Sequence, residues 1–368
     1  MGINQANVQK LLERAQREVE SGLLPSAQVA LAYQGEIVAF ETFGNATNDT
    51  RYIVYSATKA FVAGAVWALI GDHLIDPAKL VTDYVPEFGT NGKDVITVEQ
   101  VMLHTSGFPA APLPVAQGDT SAGRTAAFAK WRLNWEPGSR FEYHPSSAHW
   151  VLAEIIERVT GRDYRDVVQD RVTTPAGLAR VLGSVTHSAA ELSLVGEQAS
   201  AEELMAAFGV SELPVTEVTN DALMGFNDPA AQRVGIPGGG GVMRAADLAL
   251  YYQAVLHNPG AMWDAAVLND VKTNVRNHLP DLMTGVPANR TLGLVQAGGD
   301  GKSNFRGMGR TVSALTVGHN GAKGQIAWGD PVSGLSLGYC TNGLDENILR
   351  ESRRTTAIGS LAGTCAVD

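Results

Sequence analysis

Strand-like stretches crowd the two ends of this 368-residue chain, while its middle is helical. Near the start, residues 27–33 and 36–43 read as a hairpin turning at Gln34-Gly35. Near the end, residues 313–318, 324–329 and 334–341 alternate with turns such as Asp330-Pro331 and Ser333-Gly334. Between them Pro77, Pro86, Pro109, Pro112, Pro114 and Pro137 punctuate short helical pieces. Thr97 and Gln100 form a capping box that starts a helix running to Leu103. Residues 147–160 form an amphipathic helix closed by Gly161, and a further helix from Asp163 closes at Pro175-Ala-Gly177. More helix and loop covers 196–224, and a helix over 245–256 follows the run Gly238–Gly241. Helices also cap both ends: an N-terminal one with Val8, Leu11, Leu12, Ala15 and Val19 on one face, and a last one over 346–361.

Distant strands of this kind bury their apolar faces only if the two ends of the chain come together. The expected class is therefore α/β (α+β): an antiparallel sheet assembled from both ends, flanked by helices, with a helical lobe inserted. The expected boundaries are 1–75 and 225–368 for the sheet lobe and 76–224 for the helical lobe, within a single domain overall.

Charge narrows the function. The chain carries 28 basic and 38 acidic residues, a formal charge of −10, with no local cluster of Lys and Arg, so nucleic acid and anionic lipid are not expected partners. Cys340 and Cys365 make no disulfide framework, and Cys340 sits in an apolar run as a small hydrophobe. The polar N-terminal helix has no apolar core of a secretory signal, and no run of about 18 apolar residues occurs, so a cytoplasmic protein without a membrane span is expected. His144 and His149 are five apart, outside the i, i+4 spacing of a metal pair, and no metal or cofactor is expected.

Three patterns carry chemistry. Ser56 and Lys59, three apart, share one face at the start of a helix over 57–71, whose Ala57, Ala60, Phe61, Gly64, Ala65 and Ala68 form a packing stripe. A serine hydroxyl needs a base in reach, and a lysine among apolar neighbours gives up its proton more readily. Ser-x-x-Lys arises about once by chance in a chain this long. Yet of eight lysines only Lys59 has Ser three residues before it. The second pattern is Pro137-Gly-Ser-Arg-Phe-Glu-Tyr143, which delivers a phenol able to pass a proton to or from a serine oxygen. Taken alone, Tyr143 reads equally as a core aromatic. The third is His319-Asn320-Gly321 between strand-like runs. There a glycine edge admits substrate, and the N–H of Ala322 joins that of Ser56 as an oxyanion hole.

Together with His104-Thr-Ser-Gly107 and Gly238-Gly239-Gly240, these motifs stand in the order found in class C β-lactamases, family VIII esterases and D-alanyl-D-alanine carboxypeptidases. The chain thus resembles the serine β-lactamase-like superfamily over residues 25–345. The resemblance implies a β-lactamase/transpeptidase-like fold, Ser56 as acylated nucleophile, Lys59 as its proton partner and Tyr143 as acid/base. It also implies an oxyanion hole at Ser56 and Ala322, and substrate contacts at His319, Asn320 and Gly321. Two departures stand out. His319 replaces the usual lysine, so a fixed cation is missing there at neutral pH. His144-Pro145 replaces the usual Ser-Asn after the tyrosine, with Ser146 or Ser147 as the expected substitute. His104 reads as packing between the lobes, and Gly238–Gly241 as a site of close backbone approach. Trp131, Trp135, Phe141 and Trp150 suggest an apolar acyl or alcohol pocket. The expected function is a carboxylesterase-type serine hydrolase on small esters. The alternatives are a D-Ala-D-Ala carboxypeptidase or D-amino-acid amidase, a weak β-lactamase, or a non-catalytic binding protein on the same fold.

Overall fold

The computed structural model describes residues 2–183, 189–213 and 218–367. Helix α1 (Gln5–Glu20) starts where the Asn4 side chain accepts the Asn7 N–H, and it buries Val8, Leu11 and Ala15. The hairpin is β1 (Ser26–Tyr33) and β2 (Glu36–Gly44). Ser56 does not open a regular helix. It lies in the 3-10 turn Tyr55–Ala57, and α2 (Thr58–Gly71) follows. Nor does α2 present a single stripe, since every residue from Thr58 to Leu69 is buried. Helix α2 runs through the interior and meets neighbours on all sides: Tyr251 Oη bonds the Ala60 carbonyl at 2.6 Å, and the Trp263 indole bonds that of Gly64 at 2.8 Å.

The capping box at Thr97 starts α3 (Val98–Met102), and α4 (Ser147–Thr160) ends at a left-handed Gly161. In the 196–224 stretch Ala201–Phe208 and Asn220–Met224 are helical, while 214–217 lie outside the described residues. Helix α5 (Ala245–His257) is followed by β3 (Val295–Gln296), β4 (Val317–Gly318), β5 (Ile326–Gly329), β6 (Leu335–Thr341) and α6 (Ile348–Gly363). Strand β4 is shorter than its apolar pattern suggests. The Asp330 carboxylate takes the Ser313 N–H at 3.0 Å and its hydroxyl at 2.5 Å, and Thr316 N–H turns back to the Ser313 carbonyl.

The six strands form one antiparallel sheet in the order β2-β1-β6-β5-β4-β3. The two ends of the chain meet at its centre, with Tyr339 opposite Val29 and Leu337 opposite Leu31. Alternation sorts the faces. Val29, Leu31, Leu337 and Tyr339 pack with Leu11 and Ile358, hence under α1 and α6. Ala30, Ala32 and Cys340 share a core with Leu248 and Tyr252 of α5, and that core continues through Phe61 of α2 to Ile156 of α4. A buried ion cluster pins α4: Arg124 Nε meets Glu154 at 2.8 Å with both side chains wholly buried, and Arg158 joins Glu154 at 2.7 Å. The antiparallel sheet expected from both ends of the chain, flanked by helices, is present. No helix of the described residues is long and apolar enough to cross a membrane.

Candidate active site

Tyr55 adopts a left-handed backbone (φ +45°), which turns the chain sharply between Val54 and α2 and sets Ser56 at the positive end of that helix. Lys59 lies one turn on, wholly buried, with Nζ 3.1 Å from Ser56 Oγ. Two carbonyls at 2.6 Å hold the same nitrogen, those of Pro145 and Gly238. These peptide oxygens, rather than Ser146 or Ser147, take the place expected for an asparagine. Ser147 Oγ instead bonds the Phe108 carbonyl at 2.9 Å, and Ser146 caps α4 without a side-chain bond. A Cβ at Gly238 would stand 2.9 Å from the Pro145 oxygen and 3.4 Å from Lys59 Nζ, so the glycine run does bring backbone close to the amine.

Tyr143 reaches the same cleft. Its hydroxyl is buried and has no hydrogen-bond partner among the described residues, as suits a group waiting for substrate or water. Lys59 Nζ lies 5.1 Å from its ring centre, and the Arg290 guanidinium carbon lies 5.2 Å from it. His319 follows β4. Burial, with Arg290 and Lys59 nearby, holds its imidazole well below the ordinary range, so it is neutral at neutral pH. Its Nε2 accepts from Arg290 Nη1 at 3.0 Å, which puts the proton on Nδ1.

Arg290 is the residue the sequence did not reveal. It belongs to no motif and lies 29 positions before His319, and only the pairing of β3 with β4 joins them. Its guanidinium places a cation in the cleft beside His319. It is 8% exposed, and no carboxylate lies within ion-pairing distance among the described residues.

Asn320 lines the cleft, but its side chain is committed elsewhere: Nδ2 donates to the Gly307 carbonyl at 2.6 Å and Oδ1 accepts the Ala327 N–H at 3.0 Å. Gly321 is required by contact. A Cβ there would lie 2.1 Å from the Val54 carbonyl, so only glycine lets this edge lie against the approach to Ser56, and Ala322 lines the same cleft as Ser56. Trp150 is a correction. It is 1% exposed, covers Gly118 and meets Tyr164 edge-on, inside the helical region and away from the cleft. Trp131 packs on Phe108 and Phe128, so of the four aromatics only Phe141 lines the cleft. The cleft encloses about 460 Å³, with Val286, Met283 and Phe305 completing an apolar wall. Among the described residues no group of three or more His, Cys, Asp or Glu is placed to hold a metal.

A serine hydroxyl, an amine and a phenol thus come together at one cleft. The family model described as Beta-lactamase matches residues 6–359. The chain belongs to the beta-lactamase family. As a member, it is a hydrolase of the serine beta-lactamase superfamily. It is similar to the esterase/beta-lactamase LipL of Mycobacterium tuberculosis, at 27% identity over 80% of this chain and 70% of that protein. It is also similar to a putative D-alanyl-D-alanine carboxypeptidase of Escherichia coli, at 25% identity over 85% and 73%. Among solved structures, a family VIII carboxylesterase superposes with a TM-score of 0.77, at 24% identity over 98% of each chain. A penicillin-binding protein homologue from Caulobacter crescentus gives the same TM-score at 23% identity, over 98% of each chain.

Proposed function

We propose that this beta-lactamase-family chain is a carboxylesterase that acylates Ser56. The observation carrying the proposal is the 3.1 Å contact between Lys59 Nζ and Ser56 Oγ on the wall of a mainly apolar cleft. Two N–H bonds of the amine point to the carbonyls of Pro145 and Gly238. Toward Ser56 it offers either a lone pair, as the neutral amine, or an N–H, as the ammonium ion. It can therefore take the serine proton or steady the oxygen that has lost it.

In acylation, Ser56 Oγ adds to the ester carbonyl as its proton passes to Lys59 or Tyr143. The carbonyl oxygen, now negative, turns to the N–H groups of Ser56 and Ala322. Tyr143 hands the proton to the departing alkoxide, and the C–O bond to the alcohol breaks. A water then repeats the sequence on the acyl-enzyme and releases the acid. Val286, Met283, Phe305 and Phe141 offer an apolar wall to the acyl or alkoxy group. LipL being an esterase/beta-lactamase agrees with this reading. Ser56→Ala is expected to abolish hydrolysis of p-nitrophenyl butyrate and labelling by a fluorophosphonate probe. Persistent labelling of the variant would remove Ser56 from the reaction.

One observation favours a second reading, a D-Ala-D-Ala carboxypeptidase or related amidase. Arg290 is a cleft cation without a carboxylate partner among the described residues, and a free substrate carboxylate would supply one. The measurement that separates the two readings is an intact-mass search for acyl adducts from simple esters, D-Ala-D-Ala peptides and β-lactams.

A further inference from the structure

We propose that His104 is a positioning residue for Tyr143, clasping the peptide groups on either side of the phenol and backing its ring. The proposal rests on the reading of Tyr143 as the acid/base. His104 is 1% exposed and adopts a left-handed backbone (φ +58°). That conformation aims two acceptors of one residue at the same short segment. The His104 carbonyl takes the Glu142 N–H at 3.3 Å, and its Nδ1 takes the His144 N–H at 3.1 Å. The Phe141–Glu142 peptide and the Tyr143–His144 peptide, which bracket Tyr143, are thus both tied to His104. Its ring lies 4.8 Å from the Tyr143 ring, centre to centre, tilted by 39°.

The clasp has a definite chemical state. A ring nitrogen that accepts a backbone N–H carries no proton, so His104 is neutral with its proton on Nε2. Burial, aided by Arg290 and His144, holds the imidazole well below its ordinary range and keeps it in that form. The neighbouring residues make the cradle stiff. His144 Nε2 accepts the Phe108 N–H at 3.2 Å, the Gly138 N–H reaches the Thr105 carbonyl at 2.8 Å, and Asn134 N–H reaches that of Gly107 at 2.7 Å. The loop 104–108 is therefore a rigid seat for the strand of chain that carries the phenol. This matters because the Tyr143 hydroxyl has no hydrogen bond of its own among the described residues to fix it. Its place in the cleft it shares with Ser56 depends on what holds its backbone and ring, and misplacement of about 1 Å can cost about 100-fold in rate.

The test is a double-mutant cycle on ester hydrolysis. His104→Ala is expected to lower kcat by about 10- to 100-fold with KM little changed. In a Tyr143→Phe background the same substitution is expected to change kcat less than about 3-fold, because the group being positioned is already gone. His104→Asn tolerates the left-handed backbone and retains an acceptor, so it is expected to recover part of the loss. If His104→Ala does not fold, the cycle is read with His104→Asn alone. An equal loss in both backgrounds means that His104 only supports the fold, and an undiminished kcat in the single variant means that it positions nothing; either result overturns the proposal. Should Tyr143→Phe itself keep full activity, the acid/base reading of Tyr143 has failed instead, and the cycle distinguishes that case.

Discussion

At the scale of single residues, the site is a set of committed bonds around a few uncommitted ones. Asn320, Ser147 and His104 spend their polar atoms on backbone, whereas the Tyr143 hydroxyl and the Arg290 Nε have no partner among the described residues. A buried guanidinium with an unpartnered Nε and no carboxylate within ion-pairing distance among the described residues is a place for an anion. Arg290→Met is therefore expected to lower kcat/KM by about 10- to 100-fold for an ester bearing a free carboxylate, the worth of one charged hydrogen bond. A neutral ester of equal length is expected to lose far less. Equal losses on both esters would show that Arg290 serves the site only through His319. Ser56, Lys59 and Tyr143 were legible because each falls in a motif whose local spacing or turn carries meaning. Arg290 was not, because its relation to His319 exists only after two short strands have paired.

At the scale of elements, whatever depends on local chemistry could be read from the residues alone. The Thr97 capping box, the Gly161 stop and the Gln34-Gly35 hairpin all stand as read. What was concealed depends on neighbours. The burial of α2 on every side cannot be seen from its own residues, and the misreading of Trp150 has the same origin. An aromatic seven residues beyond Tyr143 points inward from α4 toward Gly118, not back to the cleft. That helix is anchored by Arg124 and Glu154, both wholly buried and 2.8 Å apart. Arg124→Ala would leave the Glu154 carboxylate with only Arg158 and Ser121. A loss of about 3–5 kcal/mol in unfolding free energy is expected from urea denaturation, as for other broken buried pairs. A loss under about 1 kcal/mol would mean that the pair behaves as a solvated one.

At the scale of the whole molecule, His104, His144, His149 and His319 gather where the helical region meets the sheet side. Burial lowers all four imidazoles, His144 to about 4 and the others well below the ordinary range. Each binds its proton more weakly folded than unfolded, so stability is full above about pH 6.5 and falls as pH drops below it. For His144 that decline runs from about pH 6.5 to about 4. Thermal unfolding is expected to hold steady from pH 8 to 7 and then to decline, by up to about 1.4 kcal/mol per pH unit for each histidine. A midpoint unchanged from pH 7 to 5 would count against neutral burial of the four rings. The same meeting place has a mechanical side. Lys59 is gripped by one peptide oxygen from the approach to α4 and one from the glycine turn ahead of α5. No side-chain replacement at either post can delete an oxygen that every residue carries. The amine is thus insured against point changes there yet exposed to insertions or deletions, which would slide one post past the other and unseat it.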